Sequence, residues 1–467
     1  MKIITLFLFL SSLLIFSPVF SFHRPDSTKS IFEKGSDTYK MQKARTLYLN
    51  RDYQAALEVY EGLIPKNGDN ALLNFRMGEC LVAMMHYETA FGYLDKAQRI
   101  NPEVDKEFYL TMGKTLHHLE KLDDALIQYE KYKSTLDSNK FHLSIEVNLL
   151  IEQVKYAKEM MKKPVDVTIT NLGDIINSKY DDHGPSISSD GKTLIYTSRR
   201  PETTGASKDP EDKKYYEDIY IANWNEPENR WNKGEQIPGR LNTDVHDGCL
   251  SIAPDGSEIY VYKNSGEGGS GEIFVSRLSS SGKWGTAKEL GKNINTSYFE
   301  SSASITADGK SLYFISERKG GMGLADIYVS QKITKTEWGP AVNIGGTINT
   351  NSDERMVFVH PGGKYLFFSS DGHSTLGGYD LFGCKFNEKD SVWGKPVNLG
   401  FPINTVNDEI NFSLTSNGKK AYISAFKLNG IGEIDIFEID LSRFDIFSII
   451  DNNSSGYIKT EGTRDTN

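Results

Sequence analysis

The chain has 467 residues, a quarter of them charged, and its 53 Lys and Arg against 63 Asp and Glu give a net charge of −10. That length has room for two or three domains, each with a core of its own, and the acidic balance disfavours nucleic acid, whose affinity rests on a clustered basic surface. Three scattered cysteines, Cys80, Cys249 and Cys384, are too few for a disulfide framework or a zinc site and are expected as buried free thiols.

Met1-Lys2 followed by the apolar run Ile3 to Phe16 predicts a signal peptide over residues 1–21. The run is too short to cross a hydrocarbon layer of ~30 Å, and no positive stop-transfer flank follows it. Val19-Phe20-Ser21 places cleavage before Phe22, and no Cys follows for lipid attachment. The expectation is export to the periplasm or the periplasmic side of the outer membrane, with no transmembrane span in the mature chain. Residues 22–36 form an N-terminal extension.

Residues 37–163 carry a first repeat. Ala44, Gly78 and Gly113 are 34 and 35 apart, and so are Tyr53, Tyr87 and Leu122, then Ala56, Ala90 and Ala125, then Tyr60, Leu94 and Tyr129. This pattern resembles the tetratricopeptide repeat: a small residue where paired helices touch, an aromatic near the turn, an Ala in the second helix. Asn101-Pro102 ends the second copy, since Pro cannot continue a helix. Lys40 and Lys43 stand where that family is usually apolar, so the first helix is expected as an exposed cap. A further amphipathic helix, 143–161, would cover the open end. The resemblance implies a concave groove lined by Arg45, Tyr48, Glu79, Val82, Lys114, His117 and His118, mixed in charge and suited to a peptide or helix ligand. His117 and His118 cannot share a metal ion, because neighbouring helical residues point about 100° apart.

Residues 164–449 carry a second, longer repeat with a period of about 54 residues. An Asn recurs at Asn177, Asn242, Asn295, Asn349 and Asn404, and the residue five further on is always acidic: Asp182, Asp247, Glu300, Glu354, Glu409. Thirteen after each Asn stands a turn pair, Asp190-Gly191, Asp255-Gly256, Asp308-Gly309, Gly362-Gly363 and Asn417-Gly418. Such pairs between apolar runs predict hairpins with type I′ turns. A further acid opens another strand at Asp218, Glu272, Asp326, Asp380 and Asp435, and Trp231, Trp284, Trp338 and Trp393 mark entry into a fourth. One four-stranded sheet cannot cover its own faces, but five set radially can, so the fold class is an α solenoid followed by a five-bladed β-propeller. Val165 to Gly173 reads as an orphan fourth strand that would close the ring against 434–439. Six blades is the alternative, because the apolar Phe444 to Ile450 must also be placed. Residues 450–467 form a polar tail.

The five acids are expected near the start of each inner strand, gathered around the central channel. One reading is structural: each accepts hydrogen bonds from the Asn-Thr turn before it, or pairs with Arg200, Arg318 or Lys427. The other is a cation or polar ligand held at the channel mouth by Asp182, Asp247, Glu300, Glu354 and Glu409. Catalysis finds little support. His183, His246, His360 and His373 occupy unequal places in their repeats, and there is no nucleophile elbow, phosphate loop or His-Glu-x-x-His. The expectation is no enzyme, no cofactor and no metal. Copy one alone carries a long charged insertion, Pro201 to Tyr216, ending Lys213-Lys214-Tyr215-Tyr216, a candidate contact surface.

The hairpin Asp308-Gly309-Lys310-Ser311-Leu312-Tyr313-Phe314-Ile315-Ser316 with Asp326-Ile327-Tyr328 downstream resembles the PD variety of WD-like repeat, akin to the TolB propeller. The order of signal peptide, tetratricopeptide repeats and propeller resembles the N-terminal part of OmpA-family envelope proteins, including the periplasmic component of the type IX secretion and gliding machinery. In that group a carboxypeptidase-regulatory-like domain and a peptidoglycan-binding OmpA module follow; this chain ends about where they would begin, so peptidoglycan attachment is an open question. The resemblance implies partners among envelope or secretion-machinery proteins. The expectation is a non-enzymatic cell-envelope scaffold, with a glycan- or muropeptide-binding propeller as first alternative and a hydrolase as second.

Overall fold

A computed structural model describes residues 36–136, 141–209, 212–264, 271–426 and 430–453. The expected signal peptide, nearly all of the expected N-terminal extension, Lys427 and most of the polar tail lie outside the described residues. The chain divides at Glu159 into two compact units.

The first unit is built of antiparallel helix pairs: Asp37–Leu49 with Tyr53–Glu61, Ala71–Ala83 with Tyr87–Ile100, and Phe108–His118 with Leu122–Ser134. The Phe141–Met161 helix follows them. Side-chain caps start three of these helices, with Ser36, Asp52 and Asn70 accepting from the amides of Tyr39, Ala55 and Leu73. The repeated small residue has a steric cause. A Cβ on Gly78 would sit 2.6 Å from Leu94, and one on Gly113 would sit 2.6 Å from Tyr129. Ala56, Ala90 and Ala125 are fully buried in the facing helices. The first helix buries only Ala44, as an end cap should.

The second unit is a propeller of five sheets, and the six-bladed alternative is excluded. Inner strands Asp182–Ile187, His246–Ile252, Glu300–Ile305, Glu354–Val359 and Glu409–Leu414 adjoin one another in a closed ring, the last against the first. Thr168–Asn171 supplies the outer strand of the fifth blade, antiparallel to Asp435–Asp440, with Thr168 opposite Asp440 and Asn171 opposite Phe437. The ring is thus closed by strands from both ends of the domain, as expected. The apolar stretch after it forms a short helix, Ile446–Asn453, which runs past the boundary placed at 450. Its Ile446 and Ile450 are buried with Leu399, Phe412 and Phe367. Gly383 makes room for it, since a Cβ there would lie 2.5 Å from Ile450.

The hairpin turns differ from the expected type I′. Gly191, Gly256, Gly309, Gly363 and Gly418 have φ of 73°, 72°, 68°, 69° and 68°, but the residue before each does not share that conformation. The Gly191 amide closes the turn on the Ser188 carbonyl at 2.8 Å. The Asp is there for its side chain. Asp190, Asp255 and Asp308 each accept the amide two residues on, at 3.0, 2.9 and 3.0 Å, and Asn417 does the same at 2.9 Å. An Asx-type bond needs only one left-handed residue, so a turn followed by Gly replaces the mirror-image turn.

Candidate functional site

The five repeated acids stand at the expected strand starts, and all five are fully buried. Each turns back on the chain just before it. Asp182 accepts from the Ser178 amide and hydroxyl at 2.6 and 2.7 Å, Glu300 from the Thr296 amide and hydroxyl at 2.9 and 2.8 Å, and Glu409 from the Thr405 pair at 2.8 and 2.7 Å. Asp247 and Glu354 repeat the arrangement with Thr243 and Thr350. Arg200 pairs with Asp182 at 2.6 Å and Arg318 lies 3.5 Å from Glu300; Lys263, not foreseen from the sequence, pairs with Asp247. Glu354 has no cation beside it among the described residues. Burial raises its pKa to about 7, and hydroxyls of Thr350 and Ser370 offset only part of that. The geometry gives these carboxylates a place inside each blade, with no open face toward the channel.

The repeated Asn, to which the sequence assigned no role, joins the blades. Asn404 donates to the Leu381 carbonyl and accepts the Leu381 amide, both at 2.8 Å. Asn177 grips Ile436 in this way, Asn242 grips Ile219, Asn295 grips Ile273 and Asn349 grips Ile327. Each partner lies on the third strand of the preceding blade, so a side-chain amide takes the place of a strand peptide five times around the ring. The acid's own amide adds a second tie: Asp182, Asp247, Glu300, Glu354 and Glu409 donate to the carbonyls of Ile434, Glu217, Gly271, Ala325 and Tyr379.

What varies is the residue after each acid. His183, Ser301, Arg355 and Ile410 are half-buried where the acid is not exposed at all. Strand alternation sends them to the opposite face from the acid, and register shifts in the ladder fall at or just beyond them. Arg355 is held by Asp353 at 2.5 Å and donates to the Tyr379 hydroxyl at 3.3 Å. Sequence reasoning singled out the constant position; the variable one beside it is where the inner ring differs from blade to blade.

The described residues of the blade-one insertion, 201–209 and 212–216, are tied to one another and to the blade. Lys208 pairs with Tyr215 in a short antiparallel bridge, and the Asp209 amide donates to the Lys214 carbonyl at 2.9 Å. Its base is fixed by buried charge. Arg199 grips Asp212 at 2.6 and 3.0 Å and donates to the Tyr215 carbonyl at 2.6 Å. His246 Nε2 meets Asp209 at 2.9 Å, and its Nδ1 lies 3.2 Å from Glu217, off the line of a hydrogen bond, so that contact is mainly ionic. Burial opposes the charged imidazolium, but Glu217 and Asp209 outweigh it and hold the His246 pKa above its ordinary value. Burial likewise opposes the charge on Glu217, yet His246 and His183 pull its pKa well below normal. Tyr216 stacks edge-on against His246 at 4.8 Å. Lys214 reaches Asp181 at 2.8 Å and Glu433 at 2.6 Å, tying the insertion to blade five. Between these parts lies a cleft of about 140 Å³ bounded by Lys179, Tyr180, Lys208, Lys213, Lys214 and Tyr215.

In the helical unit two of the nominated groove residues pair with each other, and a third pairs with Glu146, which was not nominated. Arg45, Glu79 and Lys114 lie on the first helices of the three pairs and Glu146 on the helix that follows them, and Arg45 lies 3.2 Å from Glu79, Lys114 3.4 Å from Glu146. Arg45 also covers the Tyr48 ring at 4.8 Å. Glu79 is buried, with Arg76 bridging it at 2.5 Å to Asp105 at 2.7 Å. His117 is buried edge-on to Tyr129, so it offers no surface to a partner, whereas His118 is half-buried and stacks on Tyr87 at 4.1 Å. Tyr48, Val82 and Lys114 remain half-exposed.

Among the described residues no group of His, Cys, Asp and Glu is arranged to hold a metal ion, and no helix is long and apolar enough to cross a membrane. The three cysteines are buried and free. No protein-family model matches the chain, and no curated protein matches it either. Among solved structures, the Yersinia enterocolitica type III secretion translocator chaperone SycD is similar at 18% identity over 26% of this chain and 85% of that one, with a TM-score of 0.24. Kuenenia stuttgartiensis hydrazine synthase is similar at 16% identity over 53% of this chain and 57% of that one, TM-score 0.30. A puromycin hydrolase S511A mutant is similar at 13% identity over 56% of this chain and 36% of that one, TM-score 0.31.

Proposed function

We propose that the protein is a non-enzymatic scaffold of the cell envelope that binds other proteins through its helical-repeat face and one face of its propeller. The observation that carries this reading is where the repeated polar residues go. The five acids and five Asn are spent inside and between blades, and what stays outward is an unrepeated, rigidly braced surface on one blade. A surface fixed in advance loses little conformational freedom on docking, which suits protein recognition. The signal peptide supports export, and the resemblance to the N-terminal part of OmpA-family and type IX secretion proteins supports partners in the envelope or in that machinery.

Affinity capture from envelope extracts tests this. The mature chain should retain a discrete partner, and a double variant reversing the helical ladder, Arg45→Glu with Lys114→Glu, should lose it while remaining folded at the temperature of capture, as circular dichroism would show. Capture that is unchanged by that variant and by reversal of the blade-one lysines would refute the scaffold reading. Mass spectrometry of the periplasmic fraction should find a mature N-terminus at Phe22.

A further inference from the structure

We infer that the cleft beside the blade-one insertion is a binding site for a carboxylate side chain of an acidic peptide segment on a protein partner; this rests on the scaffold reading and gives its propeller face a ligand class. Five cations meet at the cleft, Lys179, Arg199, Lys208, Lys213 and Lys214, against Asp181, Glu433 and the Asp212 that grips Arg199. Among the described residues that line it, cations outnumber carboxylates, on a chain whose net charge is −10. The carboxylates are already committed, Asp181 and Glu433 to Lys214 and Asp212 to Arg199. Lys179 and Lys208 have no ion-pair partner among the described residues; their ammonium groups lie 5.3 Å from the Tyr180 ring centre and 4.9 Å from that of Tyr215. A ring quadrupole holds a cation in place but neutralises none of its charge. Both ammonium groups are therefore positioned and still able to take an anion.

The shape of the site selects among anions. Tyr180 and Tyr215 meet edge to face at 5.8 Å, and each also carries a lysine. The edge contact and the two lysines cover much of the aromatic surface that a sugar ring would need, which disfavours the glycan alternative. A volume of about 140 Å³ takes one acidic side chain, not a folded ligand. Lys208 is held by its bridge to Tyr215, and the insertion beneath it by the Arg199 and His246 anchors, so little ordering remains to be done on binding.

The test uses the mature chain and a short fluorescent peptide rich in Glu and Asp, followed by anisotropy at low and high salt. The peptide should bind, and its Gln/Asn counterpart should bind at least about tenfold more weakly. Lys179→Glu with Lys208→Glu should weaken the acidic peptide by a similar factor, and raising salt should do the same. Lys310→Glu, an exposed lysine on another blade, should leave binding unchanged. Both lysines of the double variant are exposed, so an unaltered melting temperature separates lost binding from lost fold. Equal binding of the neutral peptide, or full affinity in the double variant, overturns the inference. So does displacement by inorganic phosphate at peptide-like concentrations, which would mark a simple anion site. If the peptide fails while capture still depends on Arg45 and Lys114, this inference falls and the scaffold reading stands.

Discussion

Five carboxylates in equivalent positions are not energetically equivalent, because their neighbours differ. Asp182 shares its burial with Arg200 at 2.6 Å, so Asp182→Asn would strand a guanidinium that is mostly buried. We expect a loss of about 3 kcal/mol in urea unfolding. Glu354 has no such cation among the described residues, and its pKa of about 7 stands above the ordinary 4.5. Here the folded state holds the proton more tightly than the unfolded one. Stability is then greatest below the unfolded value and falls as pH rises through the folded value, by up to about 3 kcal/mol between those limits. Glu354→Gln should flatten that decline and equal or exceed the parent at pH above neutral. A steeper decline in the variant would refute the assignment.

The turns between paired helices carry backbone that their side chains do not favour. Arg51, Met85 and Glu120 occupy the turn between paired helices in successive repeats, with φ of 65°, 62° and 56°. A residue with a Cβ gives up about 1 kcal/mol there, and Gly does not. Replacing any one of them with Gly should raise stability by up to about 1 kcal/mol, read as an upward shift in urea midpoint. The blade-one insertion makes a different prediction, governed by charge. His246 has a raised pKa, so its share of the anchoring is complete below its unfolded value near 6.5 and is lost as pH rises through the folded value. Glu217, depressed, holds its share until pH falls far below 4.5. Asp209 and Arg199 also face the imidazole, and only the histidine changes state in the alkaline direction. Hydrogen exchange of residues 203–209 and 212–216 should therefore quicken at alkaline pH beyond the ordinary base-catalysed rise, and His246→Gln should abolish that excess.

At the scale of the whole molecule, ring closure depends on four residues far from the sheet they complete. Removing Thr168–Asn171 would strip the ladder partner from Asp435–Asp440 and bare a strand edge beside the buried Ile436 and Ile439. A propeller beginning after residue 171 should unfold at lower urea and associate at higher concentration, as light scattering would show. The same closure explains what was legible in advance. The periodic Asn, acid, turn pair and Trp can be counted in the chain because each blade must solve one local problem again, and the helical repeat is legible because Gly78 and Gly113 must let Leu94 and Tyr129 approach.

Sequence by itself determined that two repeat families exist, how long each is, and that the repeated acids start strands; those are short-range demands of backbone and side-chain fit. It left five and six blades open, since nothing local says which strand an orphan will pair with. Tertiary structure alone decided that Thr168–Asn171 completes the fifth sheet, that the helix at 446–453 covers blade four, and that each Asn clasps the neighbouring blade. It also decided that His117 is buried and that Lys179 and Lys208, far apart from Glu433 along the chain, border one cleft. Those outcomes depend on contacts between residues distant in sequence, whose partners are fixed only once the ring has closed.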